Sequence, residues 1–164
     1  MKKILLTLLI TVELFAAPSV GDKSVAFTLP DLYSLHHKTS MQSLKGKVVL
    51  LNLWASWCNG CQEEMPKFVA LQREFSKEKF QIVLSSIDSE PSNAIEFLQG
   101  VDKSKRLTAL YDVEKKLPKA YRCVGMPSSF LISKEGKIVK IYVGSLDDAQ
   151  IQELKKSVKK LIGK

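Results

Sequence analysis

The chain has 164 residues, 45% hydrophobic and 26% charged, which excludes a disordered polymer and fits one domain. Three cysteines are too few for a disulfide-stapled mini-domain, and a chain of this length buries roughly two-thirds of its unfolded surface without staples. A formal net charge of +8 excludes an acidic solvating protein and raises nucleic acid or anionic lipid as partners.

The first element reads as a leader. Lys2 and Lys3 precede an apolar run over residues 4–12 broken only by threonines, and Leu14-Phe15-Ala16-Ala17 supplies small residues for cleavage. Nine helical residues cannot cross a hydrocarbon layer of about 30 Å. Residues 1–17 therefore read as a secretory signal peptide and 18–164 as the folded domain. Glu13 is awkward so near the apolar run, and an uncleaved amphipathic anchor or a buried first helix is the alternative. No cysteine near the cleavage region offers a lipid attachment point. Export to the periplasm, or another extracytoplasmic space, removes nucleic acid as a partner and lets disulfides persist.

Residues 25–29 alternate as a short strand ending at Pro30, and 36–41 form a second. The β-branched run 47–54 predicts a central strand buried on both faces. It leads into Cys58-Asn59-Gly60-Cys61 and a helix with Met65, Phe68, Val69 and Phe75 on one face. Pro66, inside that helix, predicts a kink. A strand over 80–87 follows, then a polar loop 88–93 and a helix from about 92 to 99, stopped by Gly100. Residues 107–111 read as a strand and 113–121 as a helix interrupted by Pro118. Two strands, 128–133 and 138–143, are joined by the hairpin signal Lys134-Glu135-Gly136-Lys137. The final helix, 147–162, presents Ile151, Leu154, Val158 and Leu161 to a core. Its Lys155, Lys156, Lys159 and Lys160, with Lys164 beyond, suit the C-terminal end of a helix dipole and weakly favour anionic lipid or an acidic partner. This order predicts an α/β fold with a mixed sheet covered on both faces.

Two cysteines at a strand-to-helix junction, two residues apart, point to redox chemistry. A helix N-terminus carries about half a positive charge and free N–H groups, which favour thiolate over thiol. Cys58 would then be the exposed nucleophile and Cys61, one turn later, the resolving thiol. A zinc site would need two more ligands at suitable spacing, and a c-type haem site would need histidine where Gln62 stands. A structural disulfide stabilises little across so short a loop. Metal binding and an inert pair remain the alternatives to redox chemistry.

Trp54-Ala55-Ser56-Trp57-Cys58-Asn59-Gly60-Cys61, followed by Glu64-Met65-Pro66, resembles the active site of the thioredoxin superfamily, and within it the exported TlpA/ResA-like thiol-disulfide oxidoreductases. Tyr121-Arg122-Cys123-Val124-Gly125-Met126-Pro127, continued by Ser128-Ser129-Phe130-Leu131-Ile132, is similar to the segment that carries the family's cis-proline. The resemblance runs from about Val20 to the C-terminus. It implies a thioredoxin fold with an N-terminal strand extension and a central insert around residues 88–112. By the same resemblance, Cys58 and Cys61 are the redox pair and Glu64 the active-site acid that exchanges protons with Cys61. Pro127 is the cis-proline, and Trp57, Met126 and Pro127 meet the substrate. Glu64 facing solvent and Pro127 as an ordinary trans proline are the alternatives.

The chain also departs from thioredoxin. Asn52 stands where thioredoxin has a buried aspartate, which shifts proton handling to Glu64 or water. Cys123 occupies a usually apolar position and reads as packing. His36 and His37 lie far upstream and read as strand or loop residues. The implied activity is reduction of protein disulfides without a cofactor. The implied substrates are disulfide-bearing proteins such as apocytochrome c, in cytochrome c maturation, with a membrane thiol transporter as electron donor and a monomeric enzyme. The alternatives are a general periplasmic disulfide reductase or isomerase, a thiol peroxidase, and a copper-binding chaperone using the cysteines and a histidine. The peroxidase is disfavoured by Ala55, where peroxiredoxins carry Thr or Ser.

Overall fold

The computed structural model describes residues 17–163. Apart from Ala17, the leader expected over residues 1–17 lies outside them. The chain runs β1 (Thr28–Asp31), β2 (Ser34–Ser40), β3 (Val48–Trp54), α1 (Asn59–Arg73), β4 (Phe80–Ser86), α2 (Pro91–Val101), β5 (Thr108–Tyr111), α3 (Lys116–Ala120), β6 (Ser128–Ile132), β7 (Ile138–Val143) and α4 (Asp148–Ile162). One mixed sheet has the order β2-β1-β5-β4-β3-β6-β7. Strands β3, β4 and β5 are parallel, and the other neighbours pair antiparallel. This is the thioredoxin-type arrangement that the motifs imply, with the β1–β2 hairpin added at one edge.

Every residue of β3 is buried because both faces of the sheet are covered. Val48, Leu50 and Trp54 point to the core beneath α1, α2 and α4, where they meet Met65, Phe68, Leu98 and Leu154. Val49, Leu51 and Leu53 point to the other core, with Leu29, Met41, Leu117, Tyr121 and Phe130. Each such apolar side chain contributes roughly 1.5–3 kcal/mol by leaving water. The period of two also fixes where the polar exception falls, so Asn52 faces α1.

Several boundaries differ from the sequence reading, each for a reason visible in hydrogen bonds. The first strand begins at Thr28 rather than residue 25, because the preceding backbone is used elsewhere. Gly21 and Ser24 donate to Ile138 and Gly136, and Val25 donates to the Tyr121 hydroxyl. Pro30 therefore lies inside β1 instead of ending it. The helix expected over 113–121 shrinks to α3, because the Asp112 carboxylate accepts from the N–H groups of Lys116 and Leu117 at 2.9 and 2.8 Å. Helix α2 continues through Gly100 to Val101, closing where Asp102 N–H donates to Leu98. The 88–112 insert is α2 and β5, with β5 seated between β4 and β1.

Candidate active site

Strand β3 delivers the chain to one end of the sheet, and α1 starts there with Cys58 as its N-cap. Cys58 and Cys61 are joined in a disulfide with their Cα atoms 5.2 Å apart. Cys58 Sγ accepts from Cys61 N–H at 3.3 Å, so the sulfur occupies the place of an N-cap acceptor. A thiolate at that point faces the free N–H groups of the first turn and the positive end of the helix dipole. Cys58 is only 8% exposed and Cys61 fully buried. Cys58, expected from sequence as the exposed nucleophile, is thus nearly buried, and of the two cysteines it alone reaches the surface.

The Met126–Pro127 peptide bond is cis. Pro127 sits over the cysteine loop: a Cβ on Gly60 would lie 3.4 Å from Pro127 Cδ and 3.4 Å from Ser145 Cβ and Oγ. Trp57 is 62% exposed beside Cys58, and Met126 is half-buried against both cores. Val124 stands 91% exposed just before the cis-proline, and Val143 lies within 3.7 Å of where a Gly125 Cβ would be. Exposed apolar side chains therefore flank the cysteine loop and the cis-proline segment. Ser145 over the cysteine loop and Val143 beside Gly125 are residues that the sequence reading missed.

Glu64 is completely buried, which removes the solvent-facing alternative. Its Oε1 accepts from Asn52 Nδ2 at 2.8 Å and its Oε2 from Leu146 N–H at 3.1 Å. Burial pushes the Glu64 carboxyl up to about 7, against the opposing pull of the Leu146 N–H, the Asn52 amide and Lys67. Asn52 Nδ2 also donates to Ser129 Oγ at 2.9 Å, tying β3, α1 and β6 through one amide. Asn52 is thus the support of the acid and not merely a missing aspartate.

Beyond β4, Asp88 is fully buried. It accepts from Ser56 N–H at 3.0 and 3.2 Å, from Ser56 Oγ at 2.6 Å and from Ser86 Oγ at 2.7 Å. The Gln62 amide donates to Ser56 O at 2.5 Å. Both backbone polar groups of Ser56, its N–H and its C=O, are therefore held, and with them the approach to Trp57 and Cys58. Sequence reading placed Asp88 in a polar loop, and only its position straight after a buried strand hinted at more.

Cys123 is half-buried against the second core, and burial pushes its thiol up, against a hydrogen bond from Ser128. His36 and His37 lie on β2, exposed and four strands from β3, about 19 Å at usual strand spacing. The cysteine pair and these histidines cannot share one copper ion, which removes the geometric basis of the chaperone alternative. Among the described residues, no three His, Cys, Asp or Glu side chains group closely enough to hold a metal ion. Among the same residues, no helix is long and apolar enough to cross a membrane.

A family model described as Redoxin matches residues 19–158. Thiol-disulfide oxidoreductase ResA of Geobacillus thermodenitrificans is 29% identical over 143 residues, covering 87% of this chain and 80% of that protein. ResA of Bacillus subtilis is 26% identical over 141 residues, covering 86% and 76%. A solved structure from Chlorobium tepidum, provisionally described as thiol:disulfide interchange protein DsbE, superposes with a TM-score of 0.80 at 30% identity, covering 89% of this chain and 99% of that one.

Proposed function

The chain belongs to the Redoxin family and is a ResA-like thiol-disulfide oxidoreductase with a thioredoxin fold, and on that premise we propose that it is an exported reductant of protein disulfides. The observation that carries this reading is the Cys58–Cys61 pair at the N-terminus of α1, under a cis-proline and open to solvent only through Cys58. In the reduced protein, the Cys58 thiolate attacks one sulfur of a substrate disulfide. The other substrate sulfur leaves as a thiolate and takes a proton. Cys61, once deprotonated, attacks Cys58 Sγ, releases the second substrate thiolate and closes the disulfide. Two electrons pass to the substrate.

Glu64, one turn beyond Cys61 on α1, accepts the Cys61 proton in this scheme. A carboxyl held near 7 is matched to that task at neutral pH. Trp57, Met126 and Pro127 form the face on which an extended substrate segment lies. The leader over residues 1–17 supports a periplasmic location for the 18–164 domain. The family resemblance supports apocytochrome c as substrate, a membrane thiol transporter as electron donor, and a monomer working without a cofactor.

Cys61→Ser tests the reading, because it leaves the attack intact and removes resolution. In the native host this variant should accumulate reductant-sensitive covalent complexes that include a cytochrome component, and Cys58→Ser should accumulate few or none. Equal trapping by both variants would overturn the nucleophile assignment. Trapping of unrelated secreted proteins alone would make the enzyme a general reductase or isomerase.

A further inference from the structure

The positive charge of this chain is unevenly placed along the sheet axis. Strand β3 runs from Val48 to Trp54, so its two ends lie about 20 Å apart. The disulfide follows the Trp54 end. The Val48 end is ringed by exposed lysines: Lys45 in the turn before β3, Lys79 before β4, Lys137 in the β6–β7 hairpin, Lys23 bridged to Lys137, and Lys159 and Lys160 in the last turn of α4. Hydrogen bonds and shared clefts join these into one surface. Gly46 N–H donates to Lys134 O, and Lys134 Nζ donates to Ile162 O at 2.9 Å. Lys79 and Lys159 line one cleft, and Lys23 and Lys45 another. Four acids, Asp22, Glu74, Glu78 and Glu135, interrupt the ring.

The disulfide end is mixed, with Lys67 paired to Asp148 and the exposed Lys115 and Arg122 set among acids. Glu63, Glu90, Asp147 and Asp148 are all exposed there, at or near the N-termini of α1, α2 and α4. Dipole matching accounts for acids at helix N-termini and for Lys159 and Lys160 at a C-terminus. It does not account for Lys45 and Lys79, which sit in turns, or for Lys23 and Lys137, which pair in a β-bridge.

We propose that this lysine pole docks the protein on an anionic phospholipid surface, with the disulfide end turned away from it. One further observation selects a bilayer over a soluble polyanion. The chain enters the fold at this pole, where Gly21 donates to Ile138 O. Val20, 62% exposed beside this entry, adds an apolar tip among the cations, a combination that suits the headgroup boundary. At physiological salt the screening length is about 8 Å, so charges at the disulfide end, about 20 Å away, are not held against the surface. The inference does not rest on the redox reading, and insulin reduction is the control that separates the two.

Partition of the chain without its leader, residues 18–164, is measured on phosphatidylcholine vesicles with and without phosphatidylglycerol. The parent should bind the anionic vesicles more strongly, and added salt should release it. Each lysine near such a surface contributes roughly fivefold. The triple variant Lys45→Gln/Lys137→Gln/Lys159→Gln should therefore lose about a hundredfold in partition on anionic vesicles. The matched triple Lys38→Gln/Lys116→Gln/Lys119→Gln, on the edge strand β2 and on α3, should lose less than about fivefold. Both should reduce insulin as the parent does. Equal losses in the two triples would assign binding to net charge and overturn the docking pole. So would parent binding that ignores lipid charge or salt.

Discussion

Glu64→Gln in the oxidised protein isolates the energetic consequence of burying an acid. With the disulfide closed, Cys58 and Cys61 do not titrate, so Glu64 is the site-specific acid whose ionisation changes between pH 4 and 8. Its carboxyl is held near 7 in the fold against 4.5 in the free residue. A raised carboxyl favours the protonated fold. The stability it contributes is therefore complete below about pH 4.5, falls as pH rises toward 7, and is constant above. At about 1.36 kcal/mol per pH unit, the displacement amounts to about 3 kcal/mol. Glutamine cannot ionise, so the variant lacks that decline. It also presents an amide where Leu146 N–H needs an acceptor, a pH-independent cost of about 1–3 kcal/mol. The informative quantity is thus the change in the variant–parent difference with pH, not its absolute value. Urea unfolding of both proteins from pH 4 to pH 8 should show the variant gaining about 3 kcal/mol on the parent. A difference constant to within about 1 kcal/mol would refute the argument and make Glu64 an ordinary carboxylate.

The other residues of the site give smaller tests. Cys123→Val should leave insulin reduction within about threefold and change stability by about 1 kcal/mol, since the thiol is packing at the edge of a core; loss of activity in a folded variant would make Cys123 a third redox centre. Asp88→Ala removes the acceptor for Ser56 N–H, Ser56 Oγ and Ser86 Oγ at once, and should cost more than about 3 kcal/mol in urea unfolding. A cost under about 1 kcal/mol would show that Asp88 does not hold the turn.

What was legible in the sequence was local. The cysteine pair, the burial of 47–54 and the hairpin at Gly136 follow from spacing and periodicity within a few residues, and the cis-proline from a motif seven residues long. What was not legible joins distant segments. Asn52 meets Glu64 across 12 positions and Ser129 across 77, and Leu146 reaches Glu64 across 82. An asparagine in a buried strand announces that it needs partners but not which ones. The same applies just before β1: alternation over 25–29 fits a strand starting at Val25, while the N–H groups of Gly21, Ser24 and Val25 go to β7, the hairpin and Tyr121. Periodicity reports which side of an element is buried and is blind to where its hydrogen bonds go.

The crowding over Gly60 sets how the family can vary here. Asn59 is exposed and can be exchanged without touching the fold, whereas a side chain at residue 60 must fit beneath Pro127 and Ser145. Alanine would just make contact, and anything branched would push the proline or the Ser145 loop. Substitutions between the two cysteines are therefore not equivalent adjustments of redox behaviour. Those at residue 59 act through charge and hydration at the helix start. Those at residue 60 also displace the surface that receives the substrate, so selection for a new potential and selection for a new client are separable at the first position and entangled at the second.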